Sequence, residues 1–420
     1  MASKNVGSNK TVSVGSLALA DGSNGGLAAN YTLSGGTHQL TVNQRPLNAT
    51  LARQYDGTTT AAGSDLSSFD ALQGGETLTM TGSGTAASAN VANGIAMSSN
   101  GTLALADGTG LASNYSLNST VINIAQRVLN SSGSKTYDAN TDALAGAITL
   151  SNLVSGEALN HSGTATISSA NAGSYTITNL SGISIADGSG GTASNYTLTG
   201  GTHNFTVNRR AVSVSGTRLY DATTNAVASD LSTHANLVGS ETLNLSGTGT
   251  IASKNVGSNK TVSVGSLALA DGSNGGLAAN YTLSGGTHQL TVNQRPLNAT
   301  LARQYDGTTT SAGSTLSSFD ALQGGETLTM TGSGTAASAN VANGIAMSSN
   351  GTLALADGTG LASNYSLNST VINIAQRVLN SSGSKTYDAN TDALAGAITL
   401  SNLVSGEALN HSGTATISSA

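Results

Sequence analysis

The chain has no cysteine and no tryptophan, two prolines and three phenylalanines in 420 residues, and only 9% of it is charged. Without cysteine there is no disulfide framework. An average soluble domain is about 25% charged, so this surface must be built largely from Ser, Thr, Asn and Gly. Disorder of the usual kind needs low hydrophobicity with high net charge, whereas here the net charge is −6 and 38% of residues are hydrophobic. No basic patch exists to neutralise phosphates, which excludes nucleic acid as a partner. No apolar run reaches about 18 residues, so no segment is expected to insert in a membrane. Met1-Ala2-Ser3-Lys4 opens without the apolar core of a signal peptide. An export address is therefore expected outside this segment.

What is present is repetition. Residues 2–170 recur as 252–420 with two differences, Ala61 against Ser311 and Asp65 against Thr315. A shorter period lies inside this one, because Arg45, Arg127, Arg210, Arg295 and Arg377 open similar segments at spacings of 82, 83, 85 and 82. The implied organisation is a partial unit at 1–44, unit A at 45–126, unit B at 127–209, unit C at 210–294, a second unit A at 295–376 and a partial unit B at 377–420. The partial units could complete each other between chains, head to tail.

Each unit carries fixed landmarks. Ten residues after the Arg comes a Tyr-Asp pair: Tyr55-Asp56, Tyr137-Asp138, Tyr220-Asp221, Tyr305-Asp306 and Tyr387-Asp388. A Gly/Ser-rich turn follows, ending in Glu76, Glu157, Glu241, Glu326 or Glu407. An Ala-Asp-Gly turn then places Asp21, Asp107, Asp187, Asp271 or Asp357. Last comes an Asn-Tyr pair bearing Tyr31, Tyr115, Tyr196, Tyr281 or Tyr365. Ten of the eleven tyrosines fall in these two families, which marks them as structural landmarks of the repeat.

The local pattern is β throughout. Thr77-Leu78-Thr79-Met80-Thr81 and Ser16-Leu17-Ala18-Leu19-Ala20 alternate polar or small with apolar residues, the period of a half-buried strand. Gly-Gly, Asp-Gly and Ser-Gly breaks every 8–12 residues suit a sandwich or barrel. The expected fold is an all-β tandem array of immunoglobulin-like sandwiches. A β-solenoid is the alternative, but its coils should repeat every 20–30 residues, and no such subdivision is visible. At the joint Thr41-Val42-Asn43-Gln44-Arg45-Pro46-Leu47 no flexible Gly/Ser linker intervenes, which predicts a stiff rod. Thr-rich strands with few lysines would leave the sheet edges open to lateral pairing.

Tyr55-Asp56-Gly57-Thr58-Thr59, Glu76-Thr77-Leu78, Asn255-Val256-Gly257 and Asn114-Tyr115-Ser116-Leu117 together resemble the YDG-type repeat of large bacterial surface adhesins, the filamentous haemagglutinin-like proteins of two-partner secretion. The resemblance covers essentially the whole chain. It departs where Ala139 and Ala222 replace the Gly after Tyr-Asp, and in the Ala-Asp-Gly turn before each Asn-Tyr pair. It implies an immunoglobulin-type sandwich, no catalytic residues, and a role as an extracellular stalk module on the bacterial surface. The expected partners are other copies of the chain in a fibre or bundle, together with host or matrix glycans and proteins.

The remaining candidates point to no enzyme. The Tyr-Asp pairs could hold a sugar, but their fixed offset favours a tyrosine packed into the core with its hydroxyl on backbone and an Asp shaping the next turn. The Asp21-Gly22-Ser23-Asn24 loop and its copies each offer one carboxylate, and calcium needs six to eight oxygens. No cofactor is expected, with calcium at a joint between two units the one variant left open. His38, His161, His203, His234, His288 and His411 have no second ligand at zinc spacing and are expected on strand surfaces. Phe69 and Phe319 are the only aromatic candidates for repeated binding without a structural duty. The function expected is length, stiffness and display, and the alternative is a multivalent array binding through avidity.

Overall fold

Alternation becomes burial in the complete repeats, whereas in the partial unit residues 16–20 form no strand and leave Leu17 and Leu19 exposed. In Leu78–Thr81, Leu78 and Met80 are buried while Thr79 and Thr81 are exposed. In Arg45–Gln54, Leu47, Ala49 and Leu51 point inward. The computed structural model describes residues 3–418, and the chain divides into two compact units, Met1–Asn208 and Arg209–Ala420.

Within the first compact unit, repeat A shows the plan. Its strands are β1 (Arg45–Gln54), β2 (Thr60–Ala62), β3 (Leu66–Phe69), β4 (Leu78–Thr81), β5 (Ser83–Ala86), β6 (Ala92–Ser99), β7 (Ala104–Asp107) and β8 (Tyr115–Ala125). Six form one sheet in the order β2-β5-β6-β8-β1-β3, and β4 pairs with β7 as a ribbon. All pairs are antiparallel except β1 with β8, which run parallel. Met80 and Leu105 of the ribbon join the core formed by Leu51, Ala86, Ile95, Ile122 and Ile124. The molecule is thus all-β in tandem repeats, and the two layers expected of a sandwich arise by one sheet curling into a half-barrel that the ribbon closes. Among the described residues no solenoid is formed.

Glycine permits the curl. In repeat B a single strand, Leu159–Ile167, pairs along its first half with Ile183–Asp187 and along its second with Asp142–Leu144 and Gly173–Asn179. Gly163 lies at the crossover with φ +100°, and a Cβ there would sit 1.9 Å from the Gly182 carbonyl oxygen. Only glycine fits such a bend. In the second compact unit, repeat C and the second copy of A form six-stranded sheets of the same order.

The edges of the sheet in repeat A are the three-residue β2 and the four-residue β3. Short edges offer little ladder to another chain. Phe69, at the end of β3, packs against the core and onto Leu47 and Tyr115, and Phe319 packs against the core of the second copy of A. Both therefore have a structural duty. The histidines also depart from expectation. His203 and His288 are buried, because each ring Nε2 bonds the carbonyl of a tight turn (Leu198 O and Leu283 O, both 2.8 Å) and so holds the turn shut.

The two copies of A differ where local bonds compensate. Asp65 accepts a hydrogen bond from the Ala62 amide at 3.2 Å, and Thr315 donates to the Ala312 carbonyl at 2.7 Å instead. Ser311 is fully buried, as Ala61 is, and its hydroxyl reaches only the Thr309 carbonyl at 3.5 Å. A poorly bonded buried hydroxyl costs about 1 kcal/mol or more. Ser311→Ala should therefore raise stability by about 1 kcal/mol in chemical denaturation, whereas Ala61→Ser should lower it by a similar amount.

Candidate functional site: the joints between repeats

In each complete repeat the Tyr-Asp pair directly follows the first strand, and the Asp builds the turn that aims the Tyr. Asp56 pairs with Arg53 three residues back and accepts the Thr58 amide at 2.9 Å and hydroxyl at 3.0 Å. Asp221 and Asp306 repeat this with Arg218 and Thr223, and with Arg303 and Thr308. Asp138 and Asp388 use Lys135 and Lys385, both at 2.8 Å. The next residue is left-handed in every case, whether Gly57 (φ +79°) or Ala139 (φ +63°) and Ala222 (φ +64°). The turn is the same with alanine, which carries a strain of about 1–2 kcal/mol.

The Ala-Asp-Gly aspartates serve a second local purpose. Asp107, Asp187, Asp271 and Asp357 each accept, at 2.7 Å, the first amide of a three-residue 3-10 turn. Asp21 does so at 2.8 Å. Those turns end in the Asn that precedes the second tyrosine. Among the described residues no three His, Asp or Glu side chains gather as a metal site.

These devices meet across the joint. In the first compact unit, Tyr55 leaves repeat A and donates to Glu157 Oε1 of repeat B at 2.6 Å. Tyr196 of repeat B donates to the other oxygen, Oε2, at 2.6 Å. The two rings stand edge to face, 5.4 Å between centroids, a favoured aromatic geometry. In the second compact unit Tyr220 of repeat C and Tyr365 of the second A share Glu326 at 2.6 and 2.9 Å, with rings 5.2 Å apart. Lys254 adds a third bond to Glu326 at 2.6 Å and lies over the Tyr220 ring. Tyr305 likewise donates to Glu407.

The Asn-Tyr tyrosine also shapes the turn that presents the Glu. Tyr115 and Tyr281 bond the Glu of their own repeats, Glu76 and Glu241, at 2.7 Å. The hydroxyls of Tyr196 and Tyr365 accept the amides of Val154 and Gln323, both at 3.1 Å. Tyr137 is buried, and Tyr387 is 91% exposed.

A second clasp uses the Asn of the Asn-Tyr pair. Asn195 is buried; its Oδ1 accepts the Val91 amide at 2.9 Å and its Nδ2 donates to Asn90 Oδ1 at 2.9 Å. Asn364 grips Val256 and Asn255 in the same way at 2.9 and 3.0 Å. A third hook is Gln126, the residue between strands of adjoining repeats, which donates to the Tyr196 carbonyl at 2.9 Å. Arg127 binds the Asn152 carbonyl at 2.6 Å and reaches back to the Tyr55 carbonyl at 3.4 Å. Leu129 and Tyr196 of repeat B belong to the same buried cluster as Leu51 and Ile122 of repeat A. The core does not stop at the joint.

Steric fit follows the repeat types. A Cβ on Gly57 would lie 2.9 Å from Val154 Cγ1, while Ala222 faces Gly324, where a Cβ would lie 2.8 Å from that of Ala222. Where one side carries bulk, the other is glycine.

With this geometry the profile of one family matches four times, at residues 39–122, 125–204, 202–289 and 288–372, and that family is the YDG domain. The chain belongs to the YDG domain family. No characterised protein matches it closely. Tyr55, Tyr220 and Tyr305 each bond a glutamate of the following repeat in place of the backbone of their own. Sequence reasoning marked Glu157, Glu241 and Glu326 as landmarks only. The available signal was their steady distance from Tyr-Asp in a chain holding 21 carboxylates.

Burial, then the bond to Glu157, pushes the Tyr196 hydroxyl up to about 12. Burial likewise lifts Tyr365 to about 12, opposed by the Gln323 amide and reinforced by Glu326. Burial works to raise Glu326 too, but the bonds from Lys254, Tyr220 and Tyr365 outweigh it and hold the carboxyl below its ordinary 4.5. A depressed acid stabilises the fold above its unfolded pKa and loses that effect as pH falls through the folded one. Raised tyrosines stabilise below pH about 10 and lose the effect as pH rises through about 12. The joint between C and the second A should therefore show constant thermal stability from about pH 5 to about pH 9, falling on either side. Glu326→Gln should flatten the acid limb in the same melts.

Removing the shared acceptor strands two buried hydroxyls. Glu326→Ala should destabilise the second compact unit by about 3 kcal/mol or more, and Tyr220→Phe by about 1.5–3 kcal/mol. Denaturant titration of the single and double variants should show the two losses to be non-additive, because both break the same bond.

Proposed function

We propose that these YDG repeats form a stalk or filament segment of an exported bacterial surface adhesin, where they supply length and stiffness. The observation that carries this reading is the joint. Tyr55, Glu157 and Tyr196 close over one another with no linker between repeats, so adjoining repeats share side chains in place of a hinge. The absence of cysteine and the resemblance of the repeat motifs to those of surface adhesins support the extracellular setting. A multivalent binding array has less support, since Phe69 and Phe319, the aromatic candidates it rests on, are committed to packing.

Small-angle scattering of the whole chain tests the stalk reading. A compact globule of 420 residues would have a radius of gyration of about 22 Å. Repeats about 30 Å long placed end to end should give more than about 35 Å. Glu157→Ala with Glu326→Ala should reduce that value by freeing the joints. A wild-type radius near that of the globule would sink the proposal.

A further inference from the structure

In every complete repeat the chain enters on one strand and leaves on that strand's parallel neighbour. In repeat A, β1 lies beside β8 with Arg45 opposite Tyr115 and Gln54 opposite Ala125. Arg295–Gln304 lies beside Tyr365–Ala375 in the same way. In repeats B and C the pairs are Asn130–Thr136 with His203–Asn208, and Ser213–Leu219 with Gln289–Asn293. Parallel neighbours require a crossover, and here the rest of the repeat is that crossover.

The direction of these strands determines how a repeat meets tension. A pull along the array draws the N-terminal end of the first strand one way and the C-terminal end of the last strand the other way. Because the strands are parallel, they can separate only by sliding, and all rungs between them are loaded together. Antiparallel first and last strands would present both pulled ends on the same side and open one rung at a time. A single rung contributes only about 0.5–1.5 kcal/mol, so simultaneous loading is what turns weak bonds into a strong element.

Further bonds reinforce the same pair. The Tyr55 amide donates to the Ala125 carbonyl at 2.9 Å, extending the ladder beyond Gln54, and Tyr137, Tyr220 and Tyr305 repeat this bond with Asn208, Asn293 and Ala375 at 2.9 Å. At the ladder's one irregularity, between Leu117 and Ser119, Asn48 Oδ1 accepts from Asn118 at 2.9 Å and from Ser119 at 2.6 Å. Asn298 does the same with Asn368 and Ser369. Leu47, Leu51, Ile122 and Ile124 are buried behind the rungs and keep water from one side of them.

We propose that the parallel first–last strand pair is a shear clamp, and that each repeat resists unfolding when tension runs along the chain. This deepens the stalk reading, which supplies the source of the load, but the clamp is a property of one repeat and is tested apart from overall length. The absence of cysteine allows unique handles in the full chain. Asn43→Cys with Ala125→Cys pulls repeat A in shear, while Gln54→Cys with Ala125→Cys pulls paired positions on the same end of the two strands and peels them apart. All three positions are exposed.

With DNA handles on the thiols and an optical trap, the shear pair should rupture at severalfold the force of the peeling pair. The final handle separations identify the event as unfolding of repeat A: roughly 280 Å for the 82 residues between positions 43 and 125, and roughly 240 Å for the 71 between 54 and 125. Asn293, Gln304 and Ala375 give the same two geometries in the second copy of A, so a variant that folds poorly in one copy has a replacement in the other. Equal forces in the two geometries, or a weaker shear pair, would overturn the clamp whatever the scattering shows. A strong clamp in a chain with a globular radius would instead leave the clamp standing and remove the stalk.

Discussion

One carboxylate held by two tyrosines from different repeats is the interaction on which the rest depends. Glu157 is half-buried and the Glu326 side chain is 8% exposed, and a carboxylate withdrawn from water is tolerated only when its lone pairs are filled. Two hydroxyls fill them, one from each side of a joint. The joint therefore specifies position: if either tyrosine moves away, the charge is left under-bonded. A purely apolar joint of the same area could slide; this one has a single register.

That demand explains much of the local chemistry. The Tyr-Asp aspartate, its ion pair with Arg or Lys and the left-handed residue after it exist in a form that turns the chain away while the tyrosine points onward. The Ala-Asp-Gly aspartate caps the 3-10 turn that carries the second tyrosine and its Asn. A chain with so few charges spends a large share of them within a few residues of the joints.

Joint and clamp are complementary. Within a repeat, the first and last strands are bound side by side, so the path of the chain crosses a parallel ladder. Between repeats, that path passes through Gln126 and Arg127, each tied by its side chain to the neighbouring backbone. No segment along this route in either compact unit is a free linker. Local unfolding draws on regions with few buried contacts, and neither the ladder nor the joint is such a region.

The sequence by itself determined the all-β class, the nested repeat, the absence of linkers and the landmarks, because period-2 alternation and fixed offsets are local properties. The Tyr, Asp and Glu positions were all legible as marks. Their partners were not, since Tyr55 and Glu157 lie 102 residues apart and only packing one repeat on the next brings them together. The same holds for the buried His203 and His288, whose carbonyl partners depend on how a turn closes, and for Phe69, whose duty appears only once β3 lies at the sheet edge. The curl of the sheet and the parallel sense of its first and last strands were decided by tertiary structure alone. Alternation gives a strand its faces, but it cannot say which strand lies beside it or in which direction that neighbour runs.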